Sequence, residues 1–274
     1  MENKRILYIS QEIHPYLPEN DISRASLALP KKMNELGHQV RVFMPRFGVI
    51  NERRHQLHEV IRLSGINIVV NDIDMPLIIK VASVPQARMQ VYFIDNDEYF
   101  KRKATIYDEN REMFSDNDER TIFFAKGVIE TVKKLGWKPD IIHIHGWLPS
   151  LVPLYLKQFN HDDPLFADAK IVYSTYNTPF RGNLGENMKA GLEFDEIPED
   201  KLTFLDKPNF VDLTKSTVEH VDAVVKGTET IDADLESYIK EKGVIYFDGS
   251  KLTDNPEDIL NVYREILVEE ESIA

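Results

Sequence analysis

Short apolar runs alternate with helical patterns along most of the chain, and this alternation constrains the fold more than any other feature. Strands without a polar side are buried on both faces, which is typical of a parallel sheet between helices. Six such runs, rich in Ile, Val and Tyr, span 6–9, 39–44, 90–94, 141–145, 170–175 and 223–226. The sequence therefore predicts an α/β domain with a mostly parallel sheet and helices on both faces.

Three segments carry the apolar period of a helix. Segments 27–36 and 122–135 each stop at a glycine, Gly37 and Gly136, the residue that most often caps a helix end in the left-handed conformation. The third segment, 255–267, has a proline near its start, where a helix tolerates it. Between these patterns, residues 182–208 are polar and acidic without a period, so we expect a long loop or a loop with short helices.

Composition limits the classes of partner. The net charge is −13, which argues against nucleic acid and anionic membrane surfaces as ligands. The chain has no cysteine, so disulfides, thiolate zinc sites and cysteine nucleophiles are excluded. The first apolar run is too short for a signal peptide, and no run approaches the ~18 residues of a membrane span. We expect a cytoplasmic protein.

The segment DIIHIHGWLPS, residues 140–150, is the richest in chemistry. His143 and His145 point to the same side of a strand and leave three interpretations open. They could ligate a metal, although no third ligand is local. They could be hydrogen-bonded histidines at the end of a buried strand. They could also hold a polar ligand beside Trp147, whose indole suits the C–H face of a sugar.

The segment STYNTPFRG, residues 174–182, follows the next strand. Its hydroxyl and amide side chains suit a hydroxyl-rich ligand, and Arg181 fits either an anion contact or an exposed turn. Ligands of open α/β sheets bind at the carboxyl ends of the strands, where both segments lie. The sequence contains no P-loop and no GxGxxG motif, and spacing alone reveals no Ser-His-Asp arrangement.

Longer motifs resemble bacterial glycogen and starch synthases, glycosyltransferase family 5. They are RILYISQEIHPY, LALPKKMNELGHQVRVFMPRFG, VYFIDNDEYFKR, DNDERTIFFAKGVIE and KPDIIHIHGWLPSLVPLYLK, and the resemblance covers about residues 5–240. It implies the GT-B fold, two facing Rossmann-like domains with the active site between them. In that family the N-terminal domain holds the glucan acceptor and the C-terminal domain holds most of the ADP-glucose.

The resemblance therefore implies that residues 1–274 form a single domain of the N-terminal type, the N-terminal half of a GT-B fold. We expect a core at about 5–240 and a C-terminal helix at about 255–267 that packs on it. We expect no C-terminal nucleotide-sugar domain, because the last ~30 residues are too short for a second Rossmann unit.

Several family positions are altered in this sequence. The family's Lys-x-Gly-Gly loop, which approaches the donor, places its lysine at Pro18 and its glycines at Asn20 and Asp21. A later aspartate falls at Arg24, and the acid of His-x-His-Asp-Trp is replaced by Gly146. The resemblance thus implies a degenerate donor side, since a diphosphate needs cations or free backbone N–H groups.

Other family positions are retained or conservatively changed: Tyr176 takes a histidine position, and Asn177 and Asn209 are kept. The carbohydrate-binding residues implied by motif position are His143, His145, Trp147, Tyr176, Asn177 and Asn209. The expected ligand is an α-glucan or another carbohydrate, without cofactor or metal. The alternatives are an active synthase completed by a partner chain or homo-oligomer, and a non-catalytic scaffold whose apolar cleft face binds protein.

Overall fold

The computed structural model describes residues 3–84 and 87–268, which form a mixed sheet flanked by helices. Its strands are β1 (Arg5–Ser10), β2 (Gln39–Pro45), β3 (His58–Glu59), β4 (Ile66–Val70), β5 (Ile73–Val84), β6 (Met89–Asp95), β7 (Ile141–His145), β8 (Lys170–Thr175), β9 (Ala223–Lys226) and β10 (Ile245–Asp248). Their order across the sheet is β10-β9-β8-β7-β1-β2-β6-β5-β3, and β4 pairs with β5.

The strands from β10 to β6 in that order all run parallel to one another. Strand β5 runs antiparallel to β6, β3 and β4 and forms the irregular edge of the sheet. The predicted mostly parallel α/β sheet is confirmed, and all six predicted strands lie in its parallel part. The antiparallel edge and β10 were not predicted.

Helices cover both faces of the sheet, as predicted. The described helices are α1 (Asp21–Glu35), α2 (Glu52–His55), α3 (Asp97–Phe100), α4 (Asn117–Leu135), α5 (Val152–Phe159), α6 (Met188–Phe194), α7 (Phe210–Val218), α8 (Ala233–Lys242) and α9 (Ile259–Val268). Ser26 of α1 and Tyr263 of α9 contact β1 and β7 from one side. Gly127 of α4 packs against side chains of β5 and β6 from the other side.

The irregular segments also acquire structure. Residues 182–208 contain α6 and a short 3₁₀ turn, Glu199–Lys201, in agreement with a loop that carries short helices. At the C-terminal side, a 3₁₀ turn, Pro256–Asp258, leads into α9, which buries Ile259, Val262, Tyr263 and Ile266. Among the described residues, no helix combines the length and apolar character needed to cross a membrane.

Candidate functional site

The two motif histidines lie at the carboxyl end of β7, inside the sheet face that α1 and α9 cover. The rings of His143 and His145 stack with centroids 4.2 Å apart, because residues two apart in a strand share a face. The ring of Tyr8, on the neighbouring strand β1, lies 5.5 Å from that of His143. None of the three side chains is exposed to solvent. A polar stack therefore replaces the apolar contacts expected at this depth.

Hydrogen bonds connect this stack to two other elements, α9 and β8. The two ring nitrogens of His143 lie 2.7 Å from the hydroxyls of Tyr263 and Ser174. The hydroxyls of Tyr263 and Tyr8 are 2.9 Å apart. Helix α9 thus contributes a buried hydroxyl to the histidine motif of β7. The histidine cluster, as defined here, comprises Tyr8, His143, His145, Ser174, Tyr176 and Tyr263.

His145 differs from His143 in having one ring nitrogen without a partner. Its Nδ1 lies 2.7 Å from the hydroxyl of Tyr176, whereas its Nε2 is buried with no hydrogen-bond partner in the described part of the chain. Burial lowers the pKa of His145 to about 3. The pKa of His143 lies well below its usual value, mainly because the ring is buried and to a smaller extent because of repulsion from His145. Both rings are therefore neutral at physiological pH.

This geometry bears on the three interpretations of the histidine pair. The arrangement matches hydrogen-bonded histidines at the end of a buried strand. Within residues 3–84 and 87–268, no three His, Cys, Asp or Glu side chains are grouped so that they could hold a metal ion. Trp147 is only 1% exposed, and its ring packs edge-on against Phe180 with centroids 5.0 Å apart. Burial leaves no face of that indole free to stack on a sugar, which is a correction to the expected platform.

The loop between β1 and α1 uses the altered family positions for local structure. Asn20 caps α1, because its side-chain oxygen accepts a hydrogen bond from the Ser23 N–H at 2.8 Å. In return, the Ser23 hydroxyl oxygen accepts a hydrogen bond from the Asn20 N–H at 2.8 Å. The carboxylate of Asp21 lies 2.8 Å from the guanidinium of Arg24. Pro18 has no N–H, and its carbonyl accepts from the Ser23 hydroxyl at 3.0 Å. Pro18, Asn20 and Asp21 therefore present no cation and no free glycine backbone to a phosphate, and the nearby Arg24 is paired with Asp21.

Gly146 fits its position for a conformational and a steric reason. Its φ of +84° lies in the left-handed region that favours glycine. A Cβ added there would lie 3.1 Å from the side chain of Gln11, which accepts a hydrogen bond from the Leu148 N–H at 3.2 Å. An aspartate at this position would strain the backbone and displace Gln11.

Asn177 and Asn209 come together at an open cavity of about 470 Å³. Asn177 follows β8 and is exposed, and its backbone N–H donates to the Thr228 hydroxyl at 3.0 Å. Asn209 caps α7 through its side-chain oxygen, which accepts from the Asp212 N–H at 3.0 Å. The amide NH₂ of Asn209 makes no hydrogen bond within the described residues and remains a possible donor.

The remaining wall of this cavity is mixed. Phe180, Phe210 and Ile231 give it apolar surface, and Asp232 gives it a carboxylate that also caps α8. Tyr176 lies just inside, 2% exposed and packed against Gly227. Sequence reasoning did not select Ile231 or Asp232. The signal for Asp232 was its N-cap position before helix α8, in the sequence TIDADL. We call this site the amide cavity.

The structure thus divides the predicted carbohydrate-binding residues into two sets. Asn177 and Asn209 line the amide cavity. The other four residues are buried and do not line it: His143, His145, Trp147 and Tyr176. The amide cavity combines amide donors and acceptors with aromatic and aliphatic edges, a surface that suits a neutral, hydroxyl-rich ligand.

Comparison with known proteins gives a consistent result. Residues 5–247 match the family model described as the starch synthase catalytic domain. A glycogen synthase from Chlorobium phaeobacteroides is 36% identical over 226 residues, which cover 80% of this chain and 45% of the relative. One from Pelodictyon phaeoclathratiforme is 34% identical over 243 residues, which cover 86% of this chain and 49% of the relative. The chain therefore spans about half the length of these curated relatives.

A solved structure supports the fold. The catalytic domain of Starch Synthase IV from Arabidopsis thaliana, bound to ADP and acarbose, superposes with a TM-score of 0.71 at 17% identity. The match covers 90% of this chain and 51% of that chain. At this level of identity the likeness concerns the fold, which is of the GT-B type.

Proposed function

The chain belongs to the starch synthase catalytic domain family, and from that premise we propose that it binds an α-glucan, or another carbohydrate, in the amide cavity. The domain is glycogen/starch synthase-like and of the glycosyltransferase class. Its proposed role is that of the acceptor side, which holds the glucan end. Transfer of glucose by this chain on its own is proposed to be weak or absent.

One observation carries the binding proposal. Asn177 and Asn209 occupy positions that the family resemblance assigns to substrate contacts, and both line the amide cavity at the carboxyl end of the sheet. The NH₂ group of Asn209 is unused by the described protein, so hydrogen bonding to a sugar hydroxyl would cost no existing contact. Phe180 and Phe210 are only 5% and 6% exposed, and the small apolar edges that they present to the cavity suit contact with the C–H surface of a glucose ring.

The weak-transfer proposal rests on the loop after β1. Departure of a nucleoside diphosphate needs positive charge or free N–H groups near the phosphates. Pro18 has neither, and Asp21 is occupied by Arg24 in an exposed ion pair. Glu19 adds a further exposed carboxylate beside this loop. Each of these features disfavours binding of a diphosphate at the loop after β1.

Isothermal titration of the purified chain with maltoheptaose and with ADP-glucose tests the proposal. We expect saturable binding of maltoheptaose and no binding of ADP-glucose. Asn209→Asp keeps the oxygen that caps α7 but removes the NH₂ donor, so it should weaken maltoheptaose binding. Asn51→Asp is the matched control, because Asn51 caps α2 in the same way and does not line the amide cavity. Binding of ADP-glucose without binding of maltoheptaose would overturn the proposal.

A second candidate is an active synthase completed by another chain. It is favoured by the 34–36% sequence identity to relatives that are named glycogen synthases. Incorporation of labelled glucose from ADP-glucose into glycogen, by the chain alone and with lysate fractions, tests it. Incorporation only with a fraction would support it, and no incorporation under either condition would count against it.

A protein partner or homo-oligomer over the cleft face is the third candidate. The exposed large apolar side chains of the described residues are scattered, and of these only Val49 lies in the loop that follows a parallel strand at its carboxyl end, four residues after β2. This gives little apolar surface for docking there. Sedimentation velocity tests the candidate, because a monomer across the micromolar range would remove the homo-oligomer.

A further inference from the structure

A second concave site lies at the opposite end of the sheet, where β2 and β6 begin. The register pairs Val42 with Val91 and Ser83 with Gln90, so Arg41, Gln90 and Ser83 lie side by side on one face. Helix α4, which covers this face farther along, ends at Leu135. Polar side chains on an otherwise buried sheet therefore line an opening to solvent.

Arg41 is held in a fixed position within this opening. Its Nη1 donates to the Tyr92 hydroxyl at 2.8 Å, and its guanidinium carbon lies 5.6 Å from the Tyr92 ring and 5.1 Å from the Trp137 ring. Contact with two aromatic faces orients the guanidinium plane without neutralising its charge. Within the described residues, Arg41 forms no ion pair with a carboxylate. Its remaining N–H groups can therefore donate to a ligand.

The surrounding cavity has a volume of about 620 Å³ and contains a second arginine, Arg88. We call it the arginine pocket, lined by Arg41, Arg88, Gln39, Gln90, Ser83 and Trp137. None of its described lining residues is an aspartate or glutamate. That is unexpected in a chain with a net charge of −13, since acidic side chains outnumber basic ones 46 to 33. The other described cavities each include at least one carboxylate.

We propose that the arginine pocket binds a small phosphate monoester that also carries hydroxyl groups. In residues 3–84 and 87–268, neither Arg41 nor Arg88 pairs with a carboxylate, and two such guanidinium groups match the charge and planar geometry of a phosphate. The side-chain amides of Gln39 and Gln90 and the Ser83 hydroxyl provide neutral donors and acceptors for hydroxyl groups. The volume exceeds that of a lone phosphate ion. This inference is independent of the amide cavity, which lies at the other end of the strands.

Titration calorimetry of the full chain with glucose 1-phosphate, glucose and inorganic phosphate tests the proposal. We expect glucose 1-phosphate to bind at least about tenfold more tightly than either comparator, since each comparator lacks one half of the contacts. Quenching of tryptophan fluorescence should report the same affinity, because Trp137 lines the pocket. Equal affinity for inorganic phosphate would overturn the assignment to an ester, and absence of saturable binding would overturn the site.

Variants separate this pocket from other basic surfaces. Arg88→Gln removes an exposed charge, and Gln90→Glu places a carboxylate next to Arg41 with little change in shape. Each should weaken binding by about tenfold or more, as expected for loss of a charge-assisted contact. Arg62→Gln is the matched control, because Arg62 is exposed and does not line this pocket. Thermal unfolding checks that each variant is folded. Unchanged affinity in both pocket variants would contradict the proposal.

Discussion

The histidine cluster and the amide cavity arise from neighbouring motif residues, yet one is inside the protein and the other faces solvent. His145 and Tyr176 are buried and bonded to each other, whereas Asn177, the next residue in the chain, is exposed at the cavity. A match to a family motif therefore does not tell whether a side chain meets a ligand. Exposure and unused hydrogen-bonding groups separate the residues that stabilise the fold from those that can bind.

If Trp147 belongs with the buried residues, its truncation should damage the fold most. We expect Trp147→Ala to lower the free energy of unfolding by about 3–5 kcal/mol, the usual cost of removing a buried aromatic ring. Urea unfolding followed by circular dichroism measures it. Trp147→Phe is the control and should lose considerably less. A loss below about 1 kcal/mol for the alanine variant would place Trp147 outside the core.

Low pH should reduce the free energy of unfolding of the protein through the histidine cluster. The folded pKa of His145 is about 3, below the ~6.5 of an unfolded histidine, so the unfolded state takes up the extra proton first. Its contribution is complete above pH ~6.5 and declines as the pH falls towards 3, by about 1.4 kcal/mol per pH unit. Between pH 6.5 and 4.5, urea unfolding should reveal a loss of roughly 2 kcal/mol from this residue.

His145→Gln provides the comparison for that pH dependence. The variant should lose less stability than the wild type between the same two pH values, because it has no imidazole to protonate at this position. His161→Gln, on an exposed turn after α5, is the matched control and should retain the wild-type slope. Identical slopes for His145→Gln and the wild type would show that His145 is not held neutral by burial.

Restoring the family acid at Gly146 should harm the protein. Gly146→Asp forces a side chain onto a residue with φ of +84° and against Gln11. We expect a loss of about 1–3 kcal/mol in the free energy of unfolding and no gain in glucose transfer. Gly146→Ala, which shares the backbone strain without the charge, should lose a similar amount. Increased transfer in the aspartate variant would contradict the proposed weak-transfer state.

Removal of the hydrogen bonds that join α9 to the histidine cluster should lower the free energy of unfolding moderately. Tyr263→Phe removes the hydroxyl that contacts His143 and Tyr8 and leaves buried polar atoms unpaired. We expect a loss of about 1–2 kcal/mol in urea unfolding. Tyr246→Phe is the control, because its hydroxyl contacts Glu236 at a partly exposed site. An equal effect of the two substitutions would argue against a stabilising role for the buried network.

Removal of an amide from the cavity should affect stability least. Asn177 is exposed, and its contact with Thr228 uses the backbone N–H, so Asn177→Ala should change the free energy of unfolding by no more than about 0.5 kcal/mol. The same substitution should weaken maltoheptaose binding by about tenfold, the usual effect of losing one or two hydrogen bonds. A large loss of stability with unchanged binding would reverse the assignment of this residue.

The sequence predicted the parallel part of the fold because its strands are apolar on both faces. It did not predict β4 and β5, because exposed and buried residues alternate along part of each strand. Strand β5 also contains a proline, Pro76. The short edge strand β10 is only partly buried, so it also lacked the apolar signal. Short-range periodicity finds strands buried on both sides and misses those at an antiparallel edge.

The candidate site was predictable in part. Family motifs selected Asn177 and Asn209, but their meeting at one cavity depends on how the loop after β8 lies against α7. The apolar run of β7 predicts a buried strand, but nothing local to it identifies the partners of its histidines, since Tyr263 joins His143 from 120 residues away in sequence. The arginine pocket likewise depends on strand register, which the sequence alone did not provide.

A crystal structure of the chain soaked with maltoheptaose tests the central claim most directly. We predict glucosyl density in the amide cavity, with sugar hydroxyls within hydrogen-bonding distance of Asn177 and of the Asn209 amide, and an undisturbed histidine cluster. Density that displaces Tyr176 to reach His145, or binding confined to another surface with an empty amide cavity, would contradict the account.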